Sequence, residues 1–145
     1  MPLTGTYERN LDDKQRLAVP KRLKEQFGEG ELTSLFVAPG TEKSLFLYSP
    51  QAFNTLAAKL SEKATNRVEI RNYLRLFYAQ AEEVPLDSQG RIRVPERLVA
   101  FAELKKDLVL LGVHDHAEIW DKDVWSQFLA TSGAQFDQLA TQAFQ

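Results

Sequence analysis

The chain has 145 residues, 43% hydrophobic and 26% charged, a balance that suits one folded body or two small modules. It has no cysteine, which excludes disulfides, thiolate catalysis and cysteine-based zinc sites. The opening stretch Met1–Arg9 lacks an apolar leader core, and no segment approaches about 18 uninterrupted apolar residues. Neither a signal peptide nor a membrane span is expected, and the expected compartment is the cytoplasm.

Taken in chain order, Thr6 to Leu11 alternates as a half-buried strand does, and Asp12-Asp13-Lys14-Gln15 is a turn. Leu17 and Val19 then face one way, with Arg16 and Ala18 opposite. Pro20 ends that strand and suits the first position of a short helix, which Leu23 and Phe27 make apolar on one side and Gly28 caps. Leu35–Ala38, the turn Pro39-Gly40-Thr41 and Ser44–Tyr48 read as two strands around a turn. Ser49-Pro50 starts a helix with an apolar stripe of Phe53, Leu56, Ala57 and Leu60. Asn66-Arg67-Val68-Glu69 reads as the capping box of a second helix, with Ile70, Tyr73, Leu74 and Phe77 as its stripe. Lys63, Arg67, Arg71 and Arg75 fall four apart on the other face, the pattern of a solvated helix side. The two helices are expected to form a hairpin beside a β core.

The pattern then begins again. Leu86-Asp87-Ser88-Gln89-Gly90-Arg91-Ile92-Arg93-Val94-Pro95 repeats Leu11–Pro20 at an offset of 75, and both run on into Arg-Leu. Seven of the thirteen aligned positions are identical. Such a repeat implies two copies of one structural unit packed together. Leu108–Val113, His114-Asp115-His116 and Ala117–Trp120 match the earlier pair of strands. Asp121 takes the place of Ser49, and Val124, Trp125, Phe128 and Leu129 form the following stripe. The expected organisation is a first module over 6–52, a connecting helical segment over 53–80, a second module over 81–124, and a C-terminal helix and tail over 125–145. The tail from Thr131, rich in Ala and Gln, is expected to be loosely held. The fold class is α+β with a mainly β core.

A net charge of −2 hides a division. Residues 7–27 and 86–106 each carry two more cations than anions, whereas from Asp107 onward six acids are opposed only by Lys122. Basic charge therefore sits on the repeated words, and several copies with one face aligned would bind a polyanion better than one copy.

The word Leu-Asp-x-x-x-Arg-x-x-Val-Pro, used twice and followed by Gly112-Val113 and Glu118-Ile119-Trp120-Asp121, resembles the MraZ family over roughly residues 3–130. The resemblance implies two modules related to AbrB-type DNA-binding domains, forming a pseudo-twofold, barrel-like body with swapped hairpins and flanking helices. It implies a ring-shaped homo-oligomer, associated with the nucleoid. It also implies a transcriptional regulator that binds short repeats in double-stranded DNA upstream of its own operon, in the division and cell-wall gene cluster. The resemblance puts base reading on Arg16, with Lys14 beside it for phosphate, and Arg91 and Arg93 as further candidates. Gln15 departs from the glycine usual in that family, so the first turn is expected to differ in shape from the second.

Two readings of the words stay open from the residues themselves. Asp12 with Arg16, and Asp87 with Arg91, read equally as ion pairs that pin each turn. They also read as acids that orient arginines toward G O6 and N7 in the major groove. Other candidates carry less. His114 and His116 lack further metal-ligating company and read as a polar turn, so no metal or cofactor is expected. Phe53, Trp125 and Phe128 read as core or subunit-interface anchors. Glu82 and Glu83 are neighbours on a strand and point to opposite faces, so they cannot flank one bond. No enzyme activity and no small-molecule substrate are expected. An oligomeric ring scaffold working through protein contacts is the alternative function.

Overall fold

The computed structural model describes residues 2–28, 30–63 and 67–145. The first repeat supplies β1 (Thr6–Asn10), β2 (Arg16–Ala18), α1 (Lys21–Phe27), β3 (Ser34–Pro39) and β4 (Ser44–Tyr48). Two helices follow, α2 (Pro50–Lys63) and α3 (Val68–Gln80). The second repeat supplies β5 (Glu82–Pro85), β6 (Arg91–Arg93), α4 (Glu96–Phe101), β7 (Asp107–Val113) and β8 (His116–Asp121). The chain closes with α5 (Lys122–Ser132), a 3₁₀ turn (Gly133–Gln135) and α6 (Phe136–Ala143). Among these helices none is long and apolar enough to cross a membrane.

The strands of the two repeats interleave. One antiparallel sheet of six strands runs β1-β7-β8-β4-β3-β5, and β2 pairs with β6 as a separate two-stranded ribbon. The first strand of each repeat thus crosses over to pair with the hairpin of the other, β1 with β7 and β5 with β3. Leu17 pairs with its own repeat counterpart Ile92, and Phe46 with its counterpart Glu118, as a twofold axis through both pairs requires. The six-stranded sheet stays open, with β1 and β5 at its two edges, so the barrel-like closure expected above is not found. The two three-residue strands form a lid over the sheet and pair only with each other, so they do not join its edges.

Alternation decides which side chains fill the space beneath that lid. Leu17, Ile92 and Val94 from the ribbon side meet Leu35, Val37, Leu45, Leu47, Leu108, Leu110 and Ile119 from the sheet, closed off by Leu23 and Leu98 of α1 and α4. Burying each such side chain contributes about 1.5–3 kcal/mol. On the sheet's opposite face α2 and α3 cover the first repeat's half, where Phe53 stacks on Phe36 with ring centroids 4.2 Å apart and packs beside Phe77. α5 covers the second half, where Trp125 and Phe128 meet Trp120 at 5.2 and 5.3 Å. The aromatic residues singled out in the sequence are therefore packing anchors. Gly112 is equally constrained: the Leu3–Thr4 backbone lies against it, in the space a side chain would occupy.

Local signals held at most element ends. Gly28 caps α1 in the left-handed conformation at φ 69°. The Ser49 hydroxyl accepts from the Ala52 N–H at 3.1 Å. Asp121 caps α5 by accepting from the Asp123 N–H at 3.2 Å, and it also accepts from Lys105 Nζ at 2.8 Å. Burial pushes the Asp121 carboxyl up, but Lys105 and the backbone donors outweigh this and hold it below the usual range.

Four expectations need correction. Pro20 and Pro95 sit at the N-caps of α1 and α4, one residue earlier than expected, because their ψ (135° and 140°) is extended rather than helical. The Asn66 half of the predicted capping box lies outside the described residues. Arg67 is the N-cap of α3, with no side-chain cap bond, and Glu69 pairs with Arg67 at 3.8 Å. The tail beyond Thr131 is mostly helical despite its weak patterning, because its Ala and Gln are good helix formers, although it packs against little, in line with a loosely held segment. None of α6 is buried, and Phe136 (73% exposed) and Phe144 (91%) face outward.

The fourth correction is Gln15. Its φ is 61°, beside 73° for Gly90, so the two turns share one shape despite the substitution. The backbone bonds that close them decide this: Gln15 N–H donates to the Asp12 carbonyl at 2.9 Å, and Gly90 N–H to the Asp87 carbonyl at 3.0 Å. A side chain in this conformation costs roughly 1–2 kcal/mol. Gln15→Gly is therefore expected to stabilise the protein by up to about 1 kcal/mol, and Gly90→Gln to destabilise it by at least as much. Urea midpoints of the two variants check this.

Candidate nucleic-acid interface

Each repeated word folds into an aspartate-anchored turn that delivers an arginine to the ribbon. Asp12 Oδ1 accepts from the backbone N–H of Lys14 at 2.9 Å and of Arg16 at 2.8 Å. Its Oδ2 accepts from Arg16 Nε at 2.8 Å. Asp87 reproduces the set, accepting from the Gln89 N–H, the Arg91 N–H and Arg91 Nε, each at 2.9 Å. An Asp whose side chain bonds the backbone two residues on is what makes this turn favourable. The Arg16 backbone N–H foremost, with the Arg16 guanidinium and the Lys14 N–H, holds the Asp12 carboxyl below the usual range against partial burial; Arg91 and Gln89 do the same for Asp87.

The ion-pair reading of the words is thus realised in both copies. It leaves the arginines available for a second task. Asp binds only Nε, so Nη1 and Nη2 of Arg16 and Arg91 make no hydrogen bond among the described residues, and the side chains are 32% and 28% exposed. A guanidinium held at one corner, with its terminal fork free, is preorganised to meet a planar acceptor pair.

Pairing of the two words sets the spacing of these groups. Arg16 lies opposite Arg93, and Ala18 opposite Arg91, on the face of the ribbon turned away from Leu17 and Ile92. Arg16, Arg91 and Arg93 therefore share one outer surface drawn from both repeats. Arg93 and Lys14 are exposed and have no ion-pair partner among the described residues. Like charges directly opposite on paired strands repel, so the Arg16–Arg93 pair weakens the ribbon slightly and favours an anion laid across it. Each turn is locked to the other repeat: Val94 N–H donates to the Gln15 carbonyl at 2.9 Å, and Val19 N–H to the Gly90 carbonyl at 3.0 Å.

All four sequence candidates, Lys14, Arg16, Arg91 and Arg93, are thus gathered at one ribbon, with Asp12 and Asp87 holding the Arg16 and Arg91 side chains. What the repeated words did not reveal is that they pair with one another. A signal was present: two strands of three residues, each with an inward apolar residue, are too short to stand alone.

The other candidates lie elsewhere. His116 Nδ1 is 2.7 Å from Asp115 and Nε2 3.1 Å from Glu118, at the β7–β8 turn. Burial disfavours its charged form, yet the two carboxylates outweigh burial and raise its pKa above the ordinary histidine value. Both ring nitrogens are engaged, and among the described residues no group of three or more His, Asp or Glu is placed to hold a metal ion. Glu82 binds Arg97 at 3.0 Å and Glu83 binds the Ser34 hydroxyl at 2.6 Å. Arg75 is held by Asn72 at 2.9 Å on the outer side of α3.

The fold and this face define a duplicated protein whose halves jointly present a basic β-ribbon. The family described as "MraZ protein, putative antitoxin-like" matches the chain twice, at residues 3–76 and 77–145. Proteins named "Transcriptional regulator MraZ" are similar over most of their length. The one from Lactiplantibacillus plantarum is 38% identical, covering 94% of this chain and 94% of its own. That from Alkaliphilus metalliredigens is 35% identical, covering 94% and 92%, and that from Finegoldia magna 32%, covering 92% and 91%. The chain belongs to the MraZ family.

The lowered pKa values of Asp12 and Asp87 give the turns a pH dependence of known sign. Their contribution is complete above the ordinary aspartate value of about 3.9 and is lost as pH falls through the lowered values. The Nε–H protons of Arg16 and Arg91 are expected to stay protected in NMR exchange from about pH 7 down to about 5, and to lose protection only in strong acid. Loss near neutral pH would contradict the assigned carboxylate partners.

Proposed function

We propose that the protein is a sequence-specific DNA-binding transcriptional regulator that uses the outer face of the β2–β6 ribbon. The single observation that carries this reading is the convergence of Arg16, Arg91 and Arg93 from both repeats on one surface. The names of its relatives support the regulatory role. A two-stranded ribbon fits the major groove of B-DNA, where a free guanidinium fork matches O6 and N7 of guanine. Arg16 reads bases, Lys14 attracts phosphate, Arg91 and Arg93 extend the contact, and Asp12 and Asp87 hold the geometry. The target is a set of short repeats upstream of the protein's own operon, in the division and cell-wall gene cluster, within the nucleoid. A ring-shaped homo-oligomer repeats the ribbon and supplies multivalent affinity, offsetting the chain's net charge of −2. No chemical step on a small molecule is assigned to it.

A second reading, a ring scaffold acting through protein contacts, draws on apolar residues left outside: Leu76 on α3 (66% exposed) and Phe136 and Phe144 near the C-terminus. These suit contacts between copies, which the first reading also uses.

Arg16→Ala is expected to weaken binding to the upstream repeats by roughly 5- to 150-fold per contacted site, the worth of one bidentate base contact. A gel-shift titration against repeat and scrambled duplexes measures it, and unchanged binding would overturn the reading. Light scattering of the purified protein is expected to return a multiple of 16.5 kDa at micromolar concentration.

A further inference from the structure

The two ends of the β2–β6 ribbon share a backbone but not a chemistry. At one end the turn 12–15 meets α4, and Asp13, Lys14, Gln15, Arg93 and Glu96 line one shallow hollow. Asp13 and Glu96 offset Lys14 and Arg93 there. At the other end the turn 87–90 meets α1, and the positions equivalent to Asp13 and Glu96 are Ser88 and Lys21. The position equivalent to Val99 is Lys24, whose side chain lies over Gly90; a Cβ on Gly90 would stand 2.5 Å from its Nζ. Lys21 and Lys24 line a second hollow beside this turn. Glu25 shares that hollow but pairs with neither lysine, and Lys21, Arg22 and Lys24 have no ion-pair partner among the described residues.

We propose that this second end is the ribbon's stronger grip on the phosphate backbone of duplex DNA, with Lys21 and Lys24 as neutralising cations in addition to Lys14. The site belongs to neither repeat: its turn comes from the second and its helix from the first. The inference rests on the DNA reading of the ribbon given above and assigns a division of labour within it. Arg16 and Arg91 are held at Nε by aspartates, which suits oriented contact with base edges. Lys21 and Lys24 carry compact charges on flexible stems with no ion-pair partner among the described residues, which suits phosphate. Three strand residues span about 10 Å, so the two ends face separate phosphates, and the unequal charge makes the second end the stronger electrostatic contact. Gly90 serves this arrangement twice: it takes the left-handed turn, and its missing side chain leaves room for Lys24.

The test uses the full chain with two probes, a duplex from immediately upstream of its own coding sequence and a shuffled duplex of equal length. Affinity is followed by fluorescence anisotropy between about 50 and 200 mM salt. The double variant K21Q/K24Q is expected to lower the slope of log affinity against log salt by about two per bound subunit, on both duplexes alike. Its preference for the upstream duplex over the shuffled one is expected to persist. K21R/K24R keeps the slope, which separates charge from packing over Gly90, and K59Q/K63Q on α2 leaves it at the parent value. A parental slope in K21Q/K24Q, while Arg16→Ala still weakens binding, would overturn the proposal and spare the DNA reading. Failure of the parent to bind either duplex would overturn both.

Discussion

The molecule depends on a pair of strands that cannot exist singly. β2 and β6 are three residues each; their mutual pairing, together with the bonds from the Asp12 and Asp87 turns, satisfies their backbone and keeps Leu17 and Ile92 turned inward. Together they close the core that the six-stranded sheet leaves open on one side. Without that lid, the leucines and valines of β3, β4, β7 and β8 would face water. The same pairing aligns the outward residues, so stability and the basic surface follow from one contact. Neither repeat can present that surface without the other.

Two further features tighten this coupling. Each aspartate-anchored turn is closed by its own backbone, then tied to the strand end of the opposite repeat through Val94 and Val19. The first strands cross as well, β1 to β7 and β5 to β3, so separating the repeats would break pairing in both the ribbon and the sheet. Arg16 and Arg91 are consequently positioned by a framework that spans the whole chain. This matters for recognition, because a guanidinium contributes most when its geometry is settled before the partner arrives.

Duplication with divergence accounts for the remaining asymmetry. The two halves keep the inward residues and the turn-forming aspartates, since the shared core and the turn geometry demand them. The outside is less constrained. Ser49 and Asp121 cap equivalent helices in different ways, two helices cover one half of the sheet and a single helix most of the other, and Lys21 stands where its twin is Glu96. A symmetric skeleton thus carries an uneven charge distribution.

The sequence by itself determined whatever is local or periodic. The strand and helix positions, Gly28, Ser49 and Asp121 as caps, the Asp-to-Arg pairing inside each turn, and the duplication were legible because each rests on residues within a few positions of one another or on a repeat. The inward set Leu17, Leu23, Ile92 and Val94 followed from alternation and helical spacing. The shape of the first turn did not, since residue preference at Gln15 yields to the hydrogen bonds closing it. Nor did the open sheet, the meeting of Arg16 with Arg93, or Lys24 lying over Gly90. Those join residues from opposite halves of the chain, and their proximity is set by how two half-buried surfaces fit together, which only the assembled tertiary structure decides.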